Sequence, residues 1–212
     1  YRSVNQQYAQ AALNIAETGD RVWVHDYQLM LAPEMLRQER SDLNIGFFLH
    51  IPFPTNKTFQ SIKESKKLLS GVLGSDVVGF HTPTYVANFL DSCQAAGLAQ
   101  SGSDMVSMSD HTVRVGNFPM GIDYEKYAAS GRSKAVKAAV RRYRKRYRHL
   151  RVIVAVDRLD PSKGLVERLE AYRNFLELEP KIRGKVVFSM VAAPSRMDIA
   201  SYRNLGKRLK AL

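Results

Sequence analysis

IGFFLHIPFPT, residues 45 to 55, sets five apolar residues in a row and closes them with a histidine, two prolines and a threonine. An unbroken apolar run of this length reads as a strand buried on both faces, because a sheet with one wet face alternates polar and apolar side chains. RVWVH (21–25), DVVGF (76–80), RVIVAVD (151–157) and KVVFSMVA (185–192) have the same character, and TVRVGNF (112–118) is a weaker strand. Helical periods surround these runs at 4–18, 28–39, 58–73, 83–96, 165–178 and 198–211. Strand and helix alternating along a chain predict an α/β fold in which parallel sheets are covered by helices. The turn cluster NFPMGID (117–123) marks the change of domain.

The chain has 212 residues, 45% of them hydrophobic and 25% charged, enough to bury a core in one or two domains. No apolar stretch approaches the roughly 20 residues that cross a bilayer, so no membrane partner is expected. One cysteine, Cys93, excludes an internal disulfide framework, which fits a reducing, cytoplasmic setting. The net charge of +12 is concentrated. Residues 131–150 hold nine Lys or Arg and no acid, and Val136, Val140, Tyr143 and Tyr147 run along them as an apolar stripe. That pattern predicts a surface helix docked by its stripe, with a solvated cationic back. A phosphate- or nucleic-acid-binding patch is the competing reading. With no recognition helix, zinc spacing or aromatic platform in the sequence, nucleic acid is not expected as a partner.

In open parallel sheets ligands bind beyond the carboxyl ends of the strands. The polar residues of this chain gather at those ends: His25 and Asp26, His50, His81 and Thr82, Arg158 and Lys163, Arg196. The strand of 45–49 stops where it does to deliver His50 to that edge. Each residue also has a bland explanation, since a histidine at a strand end often only pins a loop; their common edge favours a site.

The stretches HDYQLMLAPEML, IGFFLHIPFPT, GFHTPTYVANFLDSC, PMGID, VDRLDPSKGLVERLEAY and APSRMD, in this order, resemble the trehalose-6-phosphate synthase family of retaining glycosyltransferases. The resemblance implies two Rossmann-like domains with parallel sheets, of the glycosyltransferase B type, facing each other. Residues 1–122 would be the C-terminal part of the acceptor-side domain. Residues 123–212 would be a linker, the basic helix and the start of the nucleotide-sugar-binding domain. The family's N-terminal glycine loop, aromatic acceptor contacts and C-terminal acidic motif find no match, so only the central part of the family domain is expected here. The implied reaction moves glucose from UDP-glucose to glucose 6-phosphate, giving α,α-1,1-linked trehalose 6-phosphate.

By the same resemblance Asp26 binds the acceptor sugar, His50 touches the donor glucose, Arg158 and Lys163 hold the donor diphosphate, Val191 lines the nucleotide site and Arg196 grips the acceptor phosphate. The chemistry suits these residue types. A leaving diphosphate gains negative charge as the glycosidic bond breaks, and a guanidinium fork with a mobile ammonium beside a helix N-terminus can neutralise it. The sequence has no Asp-x-Asp motif of the kind that carries a metal in other glycosyltransferases, so no metal and no cofactor are expected. A double displacement needs two carboxylates roughly 5 Å apart, whereas the matched motifs offer one. The resemblance implies front-face substitution instead. For Val191 the bland reading is a buried strand valine, and for Arg196 a helix-start arginine paired with Asp198.

Two departures bear on the acceptor: Gln28 stands where many members have a second histidine, and Pro161 where an aromatic is usual. Glycerol 3-phosphate or a pseudo-sugar stays open as the acceptor, as does a non-catalytic or truncated relative. A homo-oligomer and fusion to a phosphatase domain stay open as assemblies.

Overall fold

The computed structural model describes residues 1–98, 104–108 and 111–212. They form two compact units, Tyr1–Ile122 and Asp123–Leu212. The first unit runs α1 (Arg2–Leu13), β1 (Arg21–His25), α2 (Ala32–Glu39), β2 (Asn44–Phe48), α3 (Asn56–Phe59), α4 (Ser65–Leu73), β3 (Val77–Phe80), α5 (Pro83–Ala95), β4 (Met105–Ser107) and β5 (Thr112–Asn117). Its five-stranded sheet has the order β1-β2-β3-β5-β4. The first four strands of that order are parallel, and β4 joins β5 antiparallel. The short β4 was not anticipated, because three residues with one apolar side chain facing in carry no readable period.

Parallel neighbours added in one direction through right-handed crossovers place their helices on one face. The core lies there. Val24, Ile45, Phe47, Val78, Phe80, Val113 and Val115 point from alternate strand positions into a cluster with Leu36, Leu69, Leu73 and Phe89. The opposite face is open: Trp23 is 68% exposed and Val77 37%. The expectation of strands buried on both faces is therefore corrected. The apolar residues of β1 and β3 are of two kinds, one set facing helices and one set facing outward.

Helix boundaries follow local chemistry. Proline is tolerated only in the first helical turn, so Pro33 makes α2 open at Ala32, and the residues expected to begin that helix form a separate 3₁₀ turn, Tyr27–Leu29. The stretch expected as one helix from 58 to 73 is two helices, broken where the Ser61 hydroxyl donates to the Thr58 carbonyl at 2.7 Å. Thr82 caps α5, its hydroxyl accepting from the Tyr85 N–H at 3.3 Å, with Pro83 next. Helix α4 lies against the start of α2 with backbones in near contact. A Cβ on Gly71 would sit 2.4 Å from the Met30 carbonyl oxygen, and one on Gly74 2.4 Å from Glu34 Cα. The lone Cys93 is buried in this core, and burial pushes its thiol up to about 12.

The second unit runs α6 (Tyr124–Arg132), α7 (Lys134–Arg146), β6 (Arg151–Arg158), α8 (Leu165–Leu178), β7 (Val186–Ala193) and α9 (Ala200–Ala211). The basic stretch is not one helix: Ser133 adopts extended backbone, ends α6, and accepts from the Val136 N–H at 3.3 Å to start α7. Strands β6 and β7 pair in parallel along their whole length. A small core of Leu159, Leu165, Val166 and Leu205 joins the sheet to α8 and α9. Here too burial on both faces is not observed. Val152, Val154 and Val156 are 46%, 65% and 70% exposed, because they occupy one side of a two-stranded sheet whose α8 and α9 pack on the other. The stripe of α7 stays half exposed, with Val140 and Tyr143 lining a shallow groove alongside Val152, Val154 and Val191.

Candidate active site

In the first unit the strand ends gather three histidines and one carboxylate. The ladder continues past the strands, with Asp26 N–H donating to Phe48 O at 2.8 Å and Leu49 N–H to Gly79 O at 3.0 Å, so residues 26, 49 and 50 are held at one edge. Phe53 then anchors the loop. Its ring packs on Phe59, Phe80 and Phe89, with centroids 4.7, 5.8 and 5.3 Å away, and its carbonyl accepts from the Asn88 amide at 3.0 Å. The residues IPFP thus hang from one buried phenylalanine, leaving His50 exposed at the sheet edge. His25 Nδ1 and His50 Nε2 are 2.9 Å apart, and the His50 and His81 rings lie 5.7 Å apart.

Asp26 sits at φ 70°, ψ 171°, a backbone region that side-chain-bearing residues avoid. Two bonds hold it there: its Oδ1 accepts from the Tyr27 N–H at 3.0 Å and from the His50 N–H at 3.2 Å. One carboxylate oxygen thereby joins the end of β1 to the end of β2. Behind this turn, buried Asn5 donates to the carbonyls of Tyr1 and Gln28 at 3.0 Å each and accepts from Leu31 N–H at 3.0 Å. Sequence reading missed Asn5; a polar residue inside an amphipathic helical period was the only signal.

In the second unit Arg158 ends β6, and Lys163 ends the 3₁₀ turn Pro161–Lys163. Gly164, at φ +60°, reverses the chain into α8, whose first N–H groups have no partner inside the helix. Arg168 of α8 ties the loop down, pairing with Asp157 at 2.7 Å and donating to the Lys163 carbonyl at 3.2 Å. Arg158 and Lys163 therefore stand exposed at a fixed turn beside a helix N-terminus, an arrangement suited to phosphate oxygens. Asp160 lies between them and is buried. Its carboxyl is held below the usual range chiefly by the Ser162 backbone N–H and then the Ser162 hydroxyl, with Arg158 and Tyr202 adding to the effect.

Arg196 follows β7 at φ +47°, the second residue other than glycine with positive φ among the described residues. It does not pair with Asp198, and α9 opens at Ala200. Arg196 donates instead to the Tyr202 hydroxyl at 3.3 Å. Val191, on β7 opposite Val156, is 53% exposed, so the buried-valine reading is corrected. Asp26 and His50 thus meet in the first unit, and Arg158, Lys163 and Arg196 belong to the second, where Arg158 lies 3.7 Å from the Asp160 carboxylate and Arg196 reaches it through the Tyr202 hydroxyl. Sequence reading missed Asp160 and Tyr202: the first resembles an ordinary turn cap, and the second a core aromatic in a helical period. No group of three or more His, Cys, Asp or Glu able to hold a metal occurs among the described residues, and no helix among them is long and apolar enough to cross a membrane.

Known proteins share both the sequence and this architecture. The chain is 40% identical over 209 residues to the UDP-forming alpha,alpha-trehalose-phosphate synthase of Schizosaccharomyces pombe, covering 97% of this chain and 41% of that protein. It is 38% identical over 211 residues to the bifunctional trehalose-6-phosphate synthase/phosphatase of Thermoproteus tenax, covering 99% and 29% respectively. The crystal structure of a UDP-forming alpha,alpha-trehalose-phosphate synthase from Burkholderia xenovorans in complex with glucose-6-phosphate superposes with a TM-score of 0.80 at 31% identity, over 99% of this chain and 47% of that one. The chain spans less than half the length of each of these proteins. The two units, with mainly parallel sheets, match the B-type architecture expected from the sequence. Since the family model for glycosyltransferase family 20 matches residues 1–212 without remainder, the chain belongs to glycosyltransferase family 20.

Proposed function

We propose that this chain is the central part of a retaining glucosyltransferase that moves glucose from UDP-glucose to glucose 6-phosphate and releases UDP. The observation that carries this reading is the pair Arg158 and Lys163, exposed on either side of a turn that Arg168 and Gly164 fix beside the N-terminus of α8. In this reading residues 1–122 belong to the acceptor-side domain and 123–212 open the nucleotide-sugar domain. Asp26 binds the acceptor sugar, His50 the donor glucose, Arg196 the acceptor phosphate, and Val191 lines the nucleotide.

The reaction breaks the bond between the glucose anomeric carbon and the diphosphate oxygen. The anomeric hydroxyl of glucose 6-phosphate attacks that carbon from the face the diphosphate leaves, and its proton passes to the departing phosphate oxygen. Arg158 and Lys163 take up the charge that grows on the diphosphate, the role a metal fills elsewhere. In this reading Asp26 orients a hydroxyl, its carboxylate fixed by two backbone N–H groups on Oδ1, and does not attack, since a double displacement needs a second carboxylate roughly 5 Å away.

The test is turnover by the full-length protein with UDP-glucose and a panel of phosphorylated acceptors, with the product's anomeric configuration read by NMR. Glucose 6-phosphate should be the preferred acceptor, the donor configuration should be retained, and EDTA should leave the rate unchanged. Preference for glycerol 3-phosphate would move the assignment to a sister activity, loss of rate in EDTA would remove the metal-free mechanism, and no turnover would leave the chain a non-catalytic relative.

A further inference from the structure

We propose that Asp160 and Tyr202 are positioning residues joined by one buried phenol–carboxylate contact, with Asp160 holding Arg158 of the diphosphate clamp and Tyr202 holding Arg196 of the acceptor-phosphate grip. The roles of the two arginines rest on the function proposed above; the linkage rests on geometry. Asp160 and Tyr202 are only 7% and 9% exposed, whereas the Arg158 side chain is 59% exposed. The Tyr202 hydroxyl donates to Asp160 Oδ2 at 3.4 Å and accepts from Arg196 Nη1 at 3.3 Å. Arg158 Nη2 lies 3.7 Å from the same Oδ2. The other oxygen, Oδ1, is occupied by the Ser162 N–H at 2.9 Å and the Ser162 hydroxyl at 2.8 Å.

Each atom in this chain of contacts has one place to go. A phenol carries a single hydrogen; given to Asp160, it leaves only a lone pair for Arg196. Ser162 pins one end of the carboxylate, which leaves Oδ2 to Arg158 and Tyr202 among the described residues. Tyr202 is fixed in the first turn of α9, and the Arg196 guanidinium carbon lies 5.9 Å from its ring centroid. The positive φ of Arg196 points the same way. Sparsely populated backbone persists only where the surroundings over-determine it, and here the Ile199 N–H donating to the Arg196 carbonyl at 3.0 Å and the Tyr202 contact do so. One buried negative charge, facing Arg158 directly and Arg196 through the phenol, holds the two guanidinium groups at the ends of neighbouring strands.

Asp160 as a plain turn cap and Tyr202 as a plain core aromatic would predict loss of stability alone. A mutant cycle in the full-length protein separates the two: Tyr202→Phe, Arg196→Ala and the double variant. Tyr202→Phe keeps the ring and should raise KM for glucose 6-phosphate about tenfold, the loss of one hydrogen bond to a charged group, while KM for UDP-glucose stays within about twofold. The double variant should bind the acceptor no worse than Arg196→Ala alone. Asp160→Asn keeps the shape but removes the charge facing Arg158, and should lower kcat about tenfold. Losses that multiply in the double variant, a Tyr202→Phe enzyme with wild-type KM, or an Asp160→Asn enzyme altered only in thermal stability would each overturn the linkage. If the wild type turns over neither substrate, the functional reading fails by itself. The same cycle run on inorganic phosphate binding by calorimetry then judges the positioning role, which non-additive losses sustain and additive losses reject.

Discussion

His25 Nδ1 lies 2.9 Å from His50 Nε2, so the ring that ends β1 and the ring two residues past β2 share one hydrogen between them. When both are neutral, one nitrogen of that contact must carry the proton and the other must not, which couples the tautomers of the two rings. The Trp23 ring, 4.5 Å from His25 by centroid, backs the pair. His25→Phe should free His50 to change tautomer and rotamer, visible as a shift in the His50 ring ¹⁵N resonances. The full-length protein should lose about fivefold in kcat/KM, the share of one neutral hydrogen bond. Unmoved His50 resonances would show that the two rings are merely neighbours.

At Asp26 the usual order of small substitutions should reverse. Alanine is normally the more stable choice over glycine by about 0.5–1 kcal/mol within regular structure. At φ 70°, ψ 171° the backbone belongs to glycine. Both Asp26→Ala and Asp26→Gly lose the bonds to Tyr27 and His50, so their difference isolates the backbone. The glycine variant should be the more stable by about 1 kcal/mol in denaturant unfolding. Alanine equal to or better than glycine would mean that the turn relaxes once the carboxylate is gone.

Arg158→Ala and Lys163→Ala should lower kcat about a hundredfold, or about 3 kcal/mol, because the charge they meet grows toward the transition state. Arg196→Ala should act differently. Its phosphate contact is remote from the bond being made, so the loss should fall on acceptor KM and narrow the preference for glucose 6-phosphate over glucose. Steady-state kinetics of the three variants test the division, and a fall in UDP affinity with Arg196→Ala would place that residue on the donor side.

The contact between α4 and α2 leaves no room for a methyl group. Gly71→Ala places a carbon 2.4 Å from the Met30 carbonyl oxygen and 2.8 Å from Leu31 Cα, both backbone atoms that cannot swing aside. A cost of about 3 kcal/mol is expected in urea unfolding. Gly131→Ala is the control. Nothing lies within 4 Å of its added carbon and the residue is helical, so that variant should gain about 0.5 kcal/mol.

Asp160 makes the second unit sensitive to acid. Its carboxyl is depressed in the folded state, foremost by the Ser162 backbone N–H. The stability it contributes is thus present above the unfolded carboxylate value of about 3.9 and is lost as pH falls through the lower folded value. Thermal midpoints should drop below about pH 4, and Asp160→Asn should flatten that part of the profile. An unchanged acid limb in the variant would assign the acid sensitivity to other carboxylates.

Much of this architecture was legible in the order of residues alone. Apolar runs interrupted by 3.6-residue periods specify strands alternating with helices, and the edge residues Asp26, His50, Arg158, Lys163 and Arg196 follow from where those runs stop. These are local properties, set by side-chain period and by breakers such as Pro33 and Gly164. Local pattern did not decide which face of each strand is covered. Trp23 and Val154 are as apolar as Val24 and Ile45, yet they lie exposed, because crossover direction and strand number determine where helices fall. Nor did it reveal which side chains meet. His25 and His50 are 25 positions apart, and Tyr202 and Asp160 are 42 apart. A hydrogen bond between residues so distant in sequence leaves no period to read; it exists only once parallel pairing has brought the ends of separate strands, and the helix that follows them, to one edge.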